Sequence, residues 1–140
     1  MPEPMAQAAA QPPFKYALKI AAYPDCPAAT CQPAQGTAYR FTFDPIGNSS
    51  FTPVGDRNDA ECGSWGLSMY RSEKQARKAY QKLLARYPEA PKRVGTHLAV
   101  GTLAAAHGLV SRPHHSTGHF NLHEFVGVRL AQTFQMVGAL

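Results

Sequence analysis

The chain has 140 residues, 44% of them hydrophobic and only 16% charged, which is enough to bury a core and too apolar for a disordered chain. No apolar run approaches the roughly 18 residues of a membrane-spanning helix, so an integral helical membrane protein is not expected. The net charge of +5 is uneven: residues 1–70 carry four basic and six acidic side chains, residues 71–140 ten basic and three acidic, and the second half is the one expected to meet anions.

Residues 1–13, rich in Ala, Gln and Pro, read as a disordered tail, and residues 14–140 as a single domain. The start, Met1-Pro2-Glu3-Pro4, has neither the cationic nor the apolar region of a secretory signal. In Phe14–Tyr23, the residues Phe14, Tyr16, Leu18 and Ile20 alternate with Lys15 and Lys19, and period 2 favours a strand over a short helix. Pro24, Pro27, Pro33 and Gly36 mark a loop. Ala38–Phe43 is a strand with Tyr39, Phe41 and Phe43 on one side and Arg40 and Thr42 on the other. A long polar loop covers residues 44–64.

Trp65–Tyr70 reads as a strand that feeds a helix over Ser72–Tyr87. At about 100° per residue, Ala76, Ala79, Tyr80, Leu83, Leu84 and Tyr87 face the core. Lys74, Lys78, Lys82 and Arg86 form an i, i+4 row on the other side, flanked by Arg77. Ser72 and Gln75 make a capping box, and Pro88 ends the helix. Trp65 and Tyr80 are expected to anchor the helix to the sheet. Strands follow over Val94–Leu103, Leu109–Val110 and His119–Phe125. The C-terminal stretch reads as a short helix near residues 128–131 and then a strand through Phe134 and Met136. The order implies an α+β fold, a mostly antiparallel sheet packed against one principal amphipathic helix.

Three cysteines, Cys26, Cys31 and Cys62, are most simply reduced thiols in a cytoplasmic protein, with a Cys26–Cys31 bridge as the oxidised alternative. Six histidines fall between His97 and His123. On a strand His119 and His123 stand about 13 Å apart, too far to share one metal. A zinc site would need His114 or His115 to fold back and His97 or Cys62 to join, so no metal is assigned and a histidine metal site ranks third among the functional readings.

The basic row of Lys74, Lys78, Lys82 and Arg86, with Arg77, is the leading functional candidate. It spans about 18 Å along a helix, and Arg71, Lys92 and Arg93 extend its field. A binding domain that engages an acidic protein surface or nucleic acid, without a cofactor, is the favoured reading. A second constellation holds Arg40, Ser68, Tyr70 and Glu124. An Arg on an early strand, a hydroxyl residue on a middle strand and a late Glu, with Gly66-Leu67-Ser68-Met69-Tyr70-Arg71-Ser72 leading into a helix, resembles the order found in ADP-ribosyltransferases. That resemblance implies an NAD-using enzyme with Arg40, Tyr70 and Glu124 as catalytic residues.

Overall fold

The computed structural model describes residues 11–56 and 61–140; most of the tail assigned to residues 1–13, and residues 57–60 of the long loop, lie outside the described residues. The fold is α+β. A short helix α1 (Ala17–Ile20) precedes strands β1 (Gln32–Pro33), β2 (Gly36–Thr42) and β3 (Leu67–Tyr70). The principal helix α2 (Glu73–Arg86) and short α3 (Ala90–Val94) follow, then β4 (His97–Leu103), β5 (Gly108–Val110), β6 (His119–Glu124) and β7 (Gln135–Ala139). The strands form one sheet in the order β1-β5-β6-β3-β2-β4-β7, and every ladder is antiparallel. Among the described residues no helix is long and apolar enough to cross a membrane.

The two faces of this sheet are covered differently. One carries Ala38, Leu67, Met69, Ala99, Phe120 and Leu122, packed under Phe51, Leu130 and Phe134 from the connections. Phe51 and Phe134 meet at 5.2 Å. The other face receives α2. Ser72 accepts the Gln75 backbone N–H at 3.1 Å, while Gln75 Oε1 takes the Ser72 hydroxyl rather than its backbone N–H. Glu73 stands in the first turn and Arg86 in the last, as the helix dipole favours. Tyr80 is buried edge-on to Phe41, and its hydroxyl donates to the Gly95 carbonyl at 2.7 Å.

Several local expectations are corrected. Phe14–Tyr23 is not a strand: Phe14 makes one bridge to Phe125 and the chain then coils into α1. Both periodicities put Tyr16 and Ile20 on one side, and Leu18 separates them; a strand would turn it inward, whereas it is 92% exposed. Tyr16 instead meets the Trp65 ring in a tilted contact at 5.4 Å. Trp65 therefore anchors α1, not α2, and it closes a 3-10 turn (Cys62–Trp65) ahead of β3. The strand expected from Val94 begins at His97, because residues 90–94 coil and Gly95 turns the chain at φ +105°. A Cβ at Gly95 would collide with the Thr42 carbonyl, so only glycine fits this turn.

The thiol expectation is also overturned. Cys26 and Cys62 form a disulfide across 36 residues of sequence, and Cys31 is the free cysteine. The link ties the loop after α1 to the turn that carries Trp65. A cross-link closing a loop of this length stabilises by about 3–4 kcal/mol on the chain-entropy model. The double substitution Cys26→Ala, Cys62→Ala should lower the free energy of urea unfolding by that order, and reductant should reproduce the loss in the parent chain alone.

Candidate functional site

Helix α2 presents two stripes. The buried one is narrow: only Ala76 and Tyr80 are fully covered. The second runs through positions 75, 78, 79, 82, 83, 86 and 87 and forms one wall of a cleft of about 590 Å³. Ala79 and Leu83, expected in the core, are half-buried cleft lining, and Tyr87 is 43% exposed. The fully buried contact of α2 is thus made by two residues; Ala79, Leu83 and Tyr87 turn to the cleft wall, and Leu84, also expected in the core, is half-buried outside the cleft.

The opposite wall comes from the loop between β5 and β6, through His114, Ser116 and Thr117, and from His119 at the start of β6. Gly118 brings this loop against the start of α2. It sits at φ +71°, and a Cβ there would collide with the Gln75 side chain. The loop is pinned by His114 N–H donating to the His119 carbonyl at 2.8 Å, and by Arg71 N–H donating to the Gly118 carbonyl at 3.2 Å. The floor is aromatic. Phe41 and Tyr70 form it, in a run of ring contacts that passes from the buried Tyr80 through both to His119 on the wall, at 5.1, 5.5 and 5.4 Å.

The cations of α2 divide by position. Lys74, Lys78, Lys82 and Arg86 are exposed, and Lys78, Lys82 and Arg86 line the cleft. Arg77 has a different task. Its Nε donates to Glu73 at 2.9 Å and its Nη1 to the Ala139 carbonyl at 2.8 Å, which fastens the helix to β7. Arg86 lies over the Tyr87 ring at 5.4 Å. None of the described residues lining the cleft is acidic, so its walls present a cationic field.

A second, smaller cleft of about 310 Å³ lies across the same aromatic wall, with Phe41, Tyr70 and Leu83 lining both. Arg40, Ser68 and Tyr70 line it and Glu124 does not, so the Arg40, Tyr70 and Glu124 set is only partly brought together. Arg40 is committed internally: Nε donates to the Ser50 carbonyl and Nη1 to the Ser68 carbonyl, each at 2.8 Å. Burial pushes its guanidinium down to about 10, with the Glu124 charge opposing. At that value it stays charged at neutral pH.

Glu124 points into the core face and is 4% exposed. Lys15 stands 3.6 Å from its Oε1, which accepts no hydrogen bond from the described residues. Lys15 is therefore its ionic neighbour. Burial raises the Glu124 carboxyl above its ordinary range, against the pull of Lys15 and Arg40. Tyr70 is raised by burial as well.

The histidines are dispersed. His119 Nε2 shares a 3.0 Å hydrogen bond with Ser68 Oγ, and His97 lies 3.7 Å from Asp44. His114 stacks on His115 at 4.8 Å and takes the Ser116 N–H at Nδ1. Burial lowers His119 and His123, and His114 lowers His119 further, so both rings resist protonation. Among the described residues no three metal-ligating side chains are grouped. Sequence reading missed Phe41, His114, Ser116, Thr117 and His119 as cleft lining; no local signal marks them, because the β3–β6 pairing brings the four loop and β6 residues to α2 and the β2–β3 junction brings Phe41.

No protein-family model matches the chain, and no curated protein or solved structure is significantly similar to it.

The raised Glu124 carboxyl has a signed consequence. A native pKa above the unfolded one makes the folded chain bind more protons between the two values, so stability falls as pH rises through that window. Urea unfolding across pH 4 to 7 should show the parent losing stability relative to Glu124→Gln as pH increases from the ordinary carboxylate range of about 4.3. A gap that grows in the parent's favour would contradict this assignment.

Proposed function

We propose that the protein is a binding module that captures an anionic partner, an acidic protein surface or a nucleic acid, through the exposed face of α2. The observation that carries this reading is the cleft stripe: Lys78, Lys82 and Arg86 line a concave surface with no acidic side chain among its described wall residues. Lys74 prolongs the row beyond the cleft, and Arg77 holds the helix in place. Cations on a rigid helix lose less on binding than cations on a loop, because their backbone is already ordered. No covalent step is needed, and the module works by positioning charge.

The Cys26–Cys62 link supports an oxidising compartment over the cytoplasm, since such bonds persist where thiols are not kept reduced. The second reading, an NAD-using transferase, draws on the smaller cleft that Arg40 and Tyr70 line. Two facts weigh against it: the Arg40 guanidinium already serves two backbone carbonyls, and Glu124 lies outside that cleft.

Retention on immobilised heparin separates the first reading from general basicity. Lys78→Glu with Lys82→Glu should elute at clearly lower salt than Lys19→Glu with Arg129→Glu, which makes the same charge change at exposed positions outside the cleft. The slope of log K against log salt should fall by about one for each cation that no longer meets an anionic group. Equal elution of the two doubles would sink the proposal. For the second reading, excess NAD should raise the melting temperature of the parent chain; an unmoved transition rejects it.

A further inference from the structure

The cleft combines three things that a merely solvated lysine face does not. Its volume of about 590 Å³ lies within the range of small-ligand sites, about 300–1,000 Å³. Its cations stand on one wall at i, i+4 and i+8, about 6 Å apart along the helix axis. Its remaining surface holds Tyr70 and Phe41 at the floor and the half-exposed Tyr87 at the end of α2. The one aromatic residue between the cations in sequence, Tyr80, is turned into the sheet and gives the cationic face no ring. In the fold β2 and β3 supply the rings.

Resting on the anion-binding reading above, we propose that this cleft is a nucleotide site, taking a planar base against its aromatic residues and a phosphate among Lys78, Lys82 and Arg86. A carboxylate would use the cations and leave the rings idle; a purely apolar ligand would do the reverse. A nucleotide unit uses both, with stacking on Tyr70 or Tyr87 and charge-assisted hydrogen bonds to phosphate. Thr117 on the facing loop adds a hydroxyl to the same cleft; its Oγ1 accepts the His119 N–H, which leaves its own proton to donate. Because every base offers a flat π surface, the site selects the nucleotide class rather than one base. The unit belongs either to a free mononucleotide or to a single strand threaded along the helix.

Titration calorimetry at low salt tests this with adenosine 5′-monophosphate, ribose 5-phosphate and an eight-residue oligoadenylate. Adenosine 5′-monophosphate should bind at least tenfold more tightly than ribose 5-phosphate, in line with the stacking contribution of about one base. Tyr87→Ala, at an exposed position, should erase about that factor for the base-bearing ligand and leave ribose 5-phosphate unchanged. Tyr70→Leu should act in the same direction, with its melting temperature measured alongside. An oligoadenylate that binds more than tenfold tighter than the mononucleotide identifies a strand as the source, and equal affinities identify the free nucleotide. Equal binding of adenosine 5′-monophosphate and ribose 5-phosphate, or no binding of either, overturns the nucleotide site. Heparin retention that still depends on Lys78 and Lys82 would then leave the anion-binding reading standing, whereas its loss would remove both.

Discussion

The structure turns on one seam at the centre of the sheet. Strands β1, β5, β6 and β3 make one ribbon and β2, β4 and β7 another, and their register meets only at Tyr39 opposite Tyr70. Beyond that pair the ladder stops, and Arg40 takes over. Its guanidinium reaches across to the Ser68 carbonyl and back to Ser50 in the loop, whose Oγ in turn shares a 2.6 Å hydrogen bond with Thr42. A strand neighbour would offer one donor here; Arg40 offers two that are charged and about twice as strong. The cost is a cation placed on the core face, relieved by the Phe51 ring at 5.7 Å and by the Glu124 charge. Helix α2 lies over the same seam and locks it from the other side through Tyr80 and Phe41.

Both clefts are products of that seam. Phe41 and Tyr70 stand on the two strands that meet there, and each faces both hollows. The splay of β2 from β3 leaves a gap on one side of these rings for the smaller cleft, while the loop before β6 rises to wall the larger one. The cationic stripe of α2 acquires its aromatic floor only because the helix is laid across strands from different parts of the chain. The cleft is a property of the crossing, and no single segment carries it.

This explains what the sequence could and could not tell. Helix α2 was legible because its caps, its dipole-matched charges and its period agree, and each is a local signal. Strands β2, β3, β4 and β6 were legible from alternation and aromatic content. Phe14–Tyr23 was ambiguous because its anchors, Tyr16 and Ile20, are four apart and satisfy both periods; the choice is made by Trp65, which lies far along the chain. The cysteine pairing was illegible for the same reason, since nothing local brings Cys26 to Cys62. Ala79, Leu83 and Tyr87 were assigned to the core because hydrophobic periodicity records which face is apolar and not whether a neighbour covers it. Arg40 drew notice as a charge in an aromatic strand, and the physical cause of its presence is the missing ladder beside it.

The Cys26–Cys62 link also makes the stretch it spans a covalent ring that holds Cys31, β1, β2 and nearly all of the long loop. A protease that cuts once anywhere inside this ring leaves a molecule of unchanged mass plus one water, its two pieces still joined through sulfur. Such damage would pass unseen in size analysis until a reductant opened it. Wherever proteases reach the chain, the bond therefore acts as a safeguard for the seam: Arg40 and its partner Ser50 lie within the ring, and a severed chain keeps them attached to the sheet they hold together.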